Sequence, residues 1–194
     1  MNRSKIIILE GITTSGKTSV KNELKKIFIN RKLDCVFVNE DETLLPLLNN
    51  TDPKLANNYI VDLLKKYISL NADVIIFDRL NLSHIWRTGN HIESFRESMS
   101  ILLKNNSIIY FLEISNDKLE ERISLAKSHR DEKWNAYVNK RGDTQDEIIK
   151  YYYNQQKELI KLLKTMPIPN VILNTNNMKF RNIAQEISLC FGNG

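Results

Sequence analysis

The chain has 194 residues, 42% hydrophobic and 26% charged, near the average of a globular domain, with a formal net charge of +5. That length makes about one domain and buries roughly 70% of the unfolded surface, so folding requires neither disulfides nor a structural metal. Two cysteines in no ligand-like spacing and three histidines exclude the usual zinc enzymes, and no apolar run approaches the ~18 residues of a membrane span.

The positive excess suits anionic partners such as nucleotides. A genome rich in lysine and asparagine codons gives the same excess, so charge alone does not favour nucleic acid as a partner. The opening Met1-Asn2-Arg3-Ser4-Lys5 is followed by only four strongly apolar residues before Glu10. That is too short for a secretory signal core, and a cytoplasmic protein is expected. Cys35, in a strand-like run, and Cys190, on an apolar helix face, are expected to be small core residues. With no repeat, no Gly/Ser-rich linker and only six Gly and four Pro, residues 1–194 read as a single domain.

In chain order, Ile6-Ile7-Ile8-Leu9 predicts a first, buried strand. Directly after it, Gly11-Ile12-Thr13-Thr14-Ser15-Gly16-Lys17-Thr18 matches G-x-x-x-x-G-K-[ST] in full, with a helical pattern starting at Lys17. Such a loop turns its backbone N–H groups inward at the positive end of a helix and cradles phosphate. Gly11 and Gly16 allow the turn. Lys17 is expected at the β- and γ-phosphates and the Thr18 hydroxyl on Mg²⁺. Gly11, Thr13, Thr14, Ser15, Gly16, Lys17, Thr18 and Ser19 form the expected nucleotide-binding set, with ATP and Mg²⁺ as the ligands.

A second strand, Val36–Val38, leads into Asn39-Glu40-Asp41-Glu42. Asp52 is expected to cap a helix opening at Pro53, with Ile60, Leu63, Leu64, Tyr67 and Ile68 on its apolar face. The third strand, Val74–Phe77, ends at Asp78, followed at once by Arg79. Asp78 is placed to organise Mg²⁺ and Arg79 to meet the transferred phosphate. Trp86-Arg87 and Arg96 come next. Arg87 could meet an acceptor whose base stacks on Trp86, although surface arginines explain both positions as well.

The fourth strand is Ile108–Leu112, and Asn116 is expected to cap the helix after it, with Glu120 nearby. The stretch from Glu120 through Arg122 and Arg130 to Gly142 is dense in charge. Ile148, Tyr152, Leu159 and Leu163 then mark a long helix, Val171–Leu173 a fifth strand, and Phe180, Ile183, Ala184 and Ile187 a last helix. The strand runs are continuous rather than alternating, as in strands covered on both faces. The expected fold class is α/β: a five-stranded parallel sheet with helices on both faces.

Leu9-Glu10-Gly11, Lys17-Thr18 and Asp78-Arg79 resemble the thymidylate kinase and deoxynucleoside kinase group of P-loop kinases, over the whole length and order of elements. The resemblance implies a lid over about 122–142 that closes on the phosphates, with Arg122 and Arg130 as its arginines and Lys133 and Arg141 behind them. A solvated helix face with i,i+4 charge pairs explains the same stretch. The resemblance also implies an adenine-side loop at Asn174–Asn177, where turn chemistry accounts for the residues equally.

There are departures. Thymidylate kinases carry Asp and Gly where this chain has Thr13 and Thr14, and an Arg-Glu-Pro segment where it has Asn39-Glu40-Asp41-Glu42. Deoxynucleoside kinases carry Glu-Arg-Ser where it has Asp78-Arg79-Leu80, and an acidic base at the place of Glu40 or Asp41. Three carboxylates would repel an acceptor phosphate, whereas one of them can take the proton of a hydroxyl. Arg79, Arg87 and Arg96 supply the opposite charge.

The expected reaction is transfer of the ATP γ-phosphoryl group to a nucleoside or nucleoside monophosphate, with both acceptors open. Lys17, Asp78, Arg79, Arg130 and Glu40 are the expected catalytic residues and Asp41 and Arg87 the acceptor-binding ones. A kinase of polynucleotide ends or of a non-nucleotide hydroxyl, and a regulatory ATPase, remain as rivals. The sequence is compatible with a homodimer and does not specify one.

Overall fold

A computed structural model describes residues 4–189; Cys190 lies outside them. The five predicted strands form one parallel sheet in the order β2-β3-β1-β4-β5. They are β1 (Lys5–Glu10), β2 (Cys35–Val38), β3 (Val74–Asp78), β4 (Ser107–Glu113) and β5 (Asn170–Asn174). β1 lies in the centre, with Ile7 opposite Ile76 of β3 and Ile108 of β4. Nine helices are described: α1 (Lys17–Asn30), α2 (Glu40–Thr43), α3 (Pro53–Ile68), α4 (Asn81–Arg87), α5 (Arg96–Lys104), α6 (Asn116–His129), α7 (Glu132–Asn139), α8 (Gln145–Leu163) and α9 (Phe180–Leu189).

Each apolar run feeds two cores because successive strand side chains point to opposite faces. Ile6 and Ile8 join Ile60 and Leu64 of α3, Leu102 of α5 and Leu159 of α8. Ile7 and Leu9 join Val20, Leu24 and Phe28 of α1 and Ile183 and Ile187 of α9. The four apolar β1 side chains, Ile6 to Leu9, are fully buried, each contributing roughly 1.5–3 kcal/mol by transfer from water.

Coverage on both faces holds for β1 and β3 but not for the sheet edge. Val171 and Ile172 of β5 are each 37% exposed. An edge strand has a neighbour on one side only, so an apolar run there is no guarantee of burial. Asp52 caps α3 as expected, accepting from the N–H groups of Lys54 and Leu55 at 2.8 and 3.4 Å. The cap expected at Asn116 shifts by one: Ser115 is the N-cap and Asn116 the first helical residue. α8 opens on a capping box between Thr144 and Glu147, which fixes where the long helix starts.

Candidate functional site

The loop between β1 and α1 takes the geometry its glycines allow. Gly11 and Gly16 have φ of 140° and 95°, and Thr14 has φ 70°. A Cβ on Gly11 would lie 2.6 Å from the carbonyl oxygen of Leu112. The Lys17 ammonium folds back over the loop and donates to the carbonyl oxygens of Gly11 and Ile12, each at 3.0 Å. Burial first, then the nearby Arg79 charge, lowers its pKa to about 8.

A hollow of about 350 Å³ lies over this loop. Thr13, Thr14, Gly16, Lys17, Thr18 and Ser19 form its floor. Ser15 is buried behind them, its hydroxyl without a partner. Arg122, Met178 and Phe180 form one wall. Arg122 donates to the carbonyl oxygens of Thr175 and Thr14 at 2.8 and 2.6 Å and lies over the Phe180 ring at 5.6 Å. Arg122 is buried, and with two backbone partners it forms part of the wall.

Arg130 differs from Arg122. It is exposed at the break between α6 and α7, lines the rim of the hollow, and lies over the Trp134 ring at 5.8 Å. The stretch 122–142, expected as a lid, contains the end of one helix and the whole of a second, which meet at Arg130-Asp131, with Arg122 tied to the carbonyl oxygens of Thr175 and Thr14. Lys133 is exposed and lines none of the hollows described here.

Asp78 ends β3 and is buried. Its Oδ2 accepts from Lys21 at 2.7 Å, and its Oδ1 is buried without a hydrogen-bond partner. Lys21 also donates to Asn39 Oδ1 at 2.9 Å. Carboxylate and hydroxyl oxygens are the hard ligands that suit Mg²⁺, which keeps most of its ligands as water. Thr18 lines the hollow over the loop, while Asp78 lines neither this hollow nor the second one described below and keeps its unpartnered oxygen buried. No group of three or more His, Cys, Asp or Glu among the described residues forms an all-protein metal cage.

Arg79 has a left-handed backbone, φ 64°, unusual for a side chain of its size. Its N–H donates to Leu9 O at 2.9 Å, and its guanidinium binds Glu40 and Ser83. Glu10 holds the same turn from behind. Its carboxylate accepts from the N–H groups of Leu80 and Ser83 at 2.9 and 3.2 Å and from the Ser83 hydroxyl at 2.6 Å. Burial raises the Glu10 pKa, and the Arg79 charge and these donors oppose the rise. Burial also works against ionised Glu40, but Arg79 and Lys17 outweigh it and hold Glu40 below the usual carboxylate range.

Glu40 lines both the hollow over the loop and the second one, whereas Asp41, the other expected acceptor carboxylate, is exposed and lines neither. Arg96 is exposed, paired with Glu93, and lines neither hollow. Asn176 spends its amide on the backbone and hydroxyl of Ser115, so turn chemistry accounts for the loop after β5.

A second hollow, about 240 Å³, lies beyond Glu40. Trp86, Trp134, Tyr137, Tyr151 and Tyr152 wall it, with Leu44, Leu45, Leu48 and Leu159 between them and Gln155 also lining it. Arg87 lines it too, half-buried and donating to the carbonyl oxygen of Leu48. Thr13, Glu40, Arg79 and Trp134 line both hollows, so the two meet at a carboxylate–guanidinium pair.

Sequence reasoning assigned no site role to Glu10, Lys21, Tyr151, Gln155, Met178 or Phe180. Tyr151 and Gln155 stand four apart on α8 beside its apolar stripe, and a polar-aromatic pair at that spacing was the available signal.

No protein-family model matches the chain, and no curated protein matches it. Among solved structures it is similar to the YorR protein of Bacillus subtilis, determined in complex with phosphorylated GDP, at 16% identity and a TM-score of 0.61. That likeness covers 96% of this chain and 95% of YorR. It is also similar to APE1195, at 10% identity and a TM-score of 0.57, over 98% of this chain and 96% of that one. Over nearly their whole length, these proteins share the α/β fold of this chain.

Proposed function

We propose that the chain is a phosphotransferase that moves the γ-phosphoryl group of ATP to a nucleoside or nucleoside monophosphate. The observation that carries this reading is the junction: a phosphate-binding loop opens, at Glu40 and Arg79, into a separate aromatic hollow. A switch or a simple ATPase has no use for the second hollow. The nucleotide seen with YorR supports a nucleotide occupant for the first.

In this reading the triphosphate lies over the loop from Gly11 to Thr18 and the base rests toward Met178, Phe180 and Arg122. Lys17 leaves the carbonyl oxygens of Gly11 and Ile12 for the β- and γ-phosphates. Thr18 and Asp78 would hold Mg²⁺, which neutralises charge on the phosphate oxygens when bound. The acceptor lies among the rings. Its oxygen bonds to the γ-phosphorus, the bond to the β,γ-bridging oxygen breaks, and ADP leaves with the electron pair. The hydroxyl proton passes to Glu40 and on to solvent. Arg79, with Arg130 from the rim, balances charge on the moving group. A phosphate acceptor is the second reading, favoured by Arg87 on the wall of the acceptor hollow.

The test is a phosphoryl-transfer screen over nucleosides, nucleoside monophosphates and short oligonucleotides, with ADP release measured in parallel. Turnover is expected only with an acceptor, and Lys17→Ala should lower it about a hundredfold or more while the fold stays intact. ADP release that ignores every acceptor would make the chain a regulatory ATPase instead.

A further inference from the structure

The acceptor hollow does not end at its far wall. An open hollow of about 380 Å³ continues from it, sharing Leu48, Trp86, Arg87 and Tyr151. No carboxylate lines this outer hollow, but two guanidinium groups do, Arg87 and Arg141. Neither makes an ion pair among the described residues. The Nε of each is buried without a hydrogen-bond partner. Arg141 is held by two rings, Tyr137 at 4.8 Å and Tyr151 at 5.1 Å. Burial holds the Arg87 pKa below its ordinary value, and repulsion from Arg141 adds to that effect.

Arg141 is partly buried too, but a hydrogen bond with Tyr137 and the neighbouring tyrosine hydroxyls outweigh that burial and raise its pKa. Arg87, partly desolvated beside the Arg141 charge and without a carboxylate, costs free energy until an anion joins it. The guanidinium fork matches phosphate, which can take two such groups at once. The position matters as much as the charge. The pair lies at the end of the acceptor hollow away from the loop, so an anion there is not the phosphate being transferred.

We propose that Arg87 and Arg141 form a subsite for a second phosphate on the acceptor, remote from its reacting hydroxyl. The acceptor that fits is a nucleoside 3′-phosphate, free or as the first residue of an oligonucleotide, phosphorylated on its 5′-hydroxyl. This rests on the phosphotransferase reading and narrows its acceptor. The 5′ oxygen bonds to the γ-phosphorus, ADP leaves with the electron pair of the broken bond, and the proton goes to Glu40. The 3′-phosphate is unchanged and serves only to anchor.

Binding is read first, without turnover, from the fluorescence of Trp86 and Trp134. The titrants are nucleosides of each base, their 3′-monophosphates, their 5′-monophosphates and matching dinucleotides. The 3′-monophosphate should bind about tenfold or more tightly than the nucleoside, and added salt should erode the gain. The 5′-monophosphate should gain less. In Arg141→Gln, with its fold verified, most of the gain should disappear; Arg141→Lys should keep part of it, as a point charge without the fork.

Equal affinity for nucleoside and 3′-monophosphate, or a gain that survives Arg141→Gln, would overturn the subsite. So would an equal gain for the 5′-monophosphate. The ratio of kcat/KM values with and without the 3′-phosphate separates this from the parent reading. Transfer to nucleosides with a ratio near one removes the subsite and leaves the phosphotransferase. Tighter 3′-phosphate binding with no transfer to any acceptor does the reverse. A dinucleotide that matches or exceeds the 3′-monophosphate makes the source a nucleic acid end; a weaker one makes it a free nucleotide.

Discussion

In the proposed reaction Lys17 changes role between the free and the nucleotide-bound protein. Its ammonium is held by two loop carbonyl oxygens and is buried, with a pKa lowered to about 8. Polyphosphate would replace those carbonyls with full negative charges and raise the pKa again. At pH 7 most free molecules already carry the charge, whereas at pH 8 about half do, so binding of Mg²⁺-ATP should take up close to half a proton at pH 8 and much less at pH 7. Calorimetry in two buffers of different ionisation enthalpy measures this uptake. Equal uptake at the two pH values would show that Lys17 does not meet the phosphates. The strand–turn–helix geometry around Lys17 was legible because all eight residues of the motif are contiguous. Residue-level reasoning could not choose between Glu40 and Asp41, since the choice depends on where a one-turn helix points each carboxylate. Nor could it see Glu10 as the support of the Arg79 turn, because its partners Leu80 and Ser83 lie some seventy residues away in the chain.

At the scale of elements, the charge-dense stretch after β4 divides into parts with different duties. Arg122 belongs to a wall, fixed by Thr175 and Thr14. Arg130 stands at the break between α6 and α7 with one ring contact and no hydrogen bond from its side chain among those described. Charge density alone treats both alike, because helical periodicity does not reveal which arginine finds backbone carbonyls from a distant loop. The division gives different expectations for the two. Arg130→Ala should lower kcat about tenfold or more with little change in ATP affinity, since an exposed arginine at the rim is engaged only when charge develops. Arg122→Ala should weaken ATP binding and lower the melting temperature, because two buried carbonyl oxygens lose their donors. Steady-state kinetics with thermal unfolding distinguishes them, and a fall in ATP affinity with unchanged kcat in Arg130→Ala would return Arg130 to an ordinary surface role. The same local blindness explains β5. Val171-Ile172-Leu173 has the composition of a covered strand, and only the sheet order shows it to be an edge.

Across the whole molecule, every part of the candidate site stands at the carboxyl ends of the parallel strands. The loop follows β1, Glu40 follows β2, Asp78 and Arg79 close β3, Arg122 comes from the helix after β4, and Phe180 follows β5. This is where an open parallel sheet leaves a crevice. The hollow over the β1–α1 loop was legible in the sequence because that one loop supplies its floor. The aromatic hollow was not, because five separated segments line it and its rings and apolar side chains belong to no motif. The two hollows meet at Glu40 and Arg79, and in the proposed reaction that junction decides the acceptor chemistry. Arg79 holds Glu40 ionised and makes it a weak base, so Glu40 should act late, as proton transfer accompanies bond formation to phosphorus. With a hydroxyl acceptor, Glu40→Gln should lower kcat about a hundredfold, while Asp41→Asn, at an exposed position outside the hollows, should change it little. A phosphate acceptor gives the opposite pattern: Glu40→Gln removes a repelling charge, and acceptor binding should tighten with kcat nearly preserved. Because Glu40 also pairs with buried Arg79, the comparison is made on protein whose fold is verified by circular dichroism. A large kcat loss in Asp41→Asn together with a silent Glu40→Gln would mean that the turn after β2 presents the other carboxylate to the acceptor.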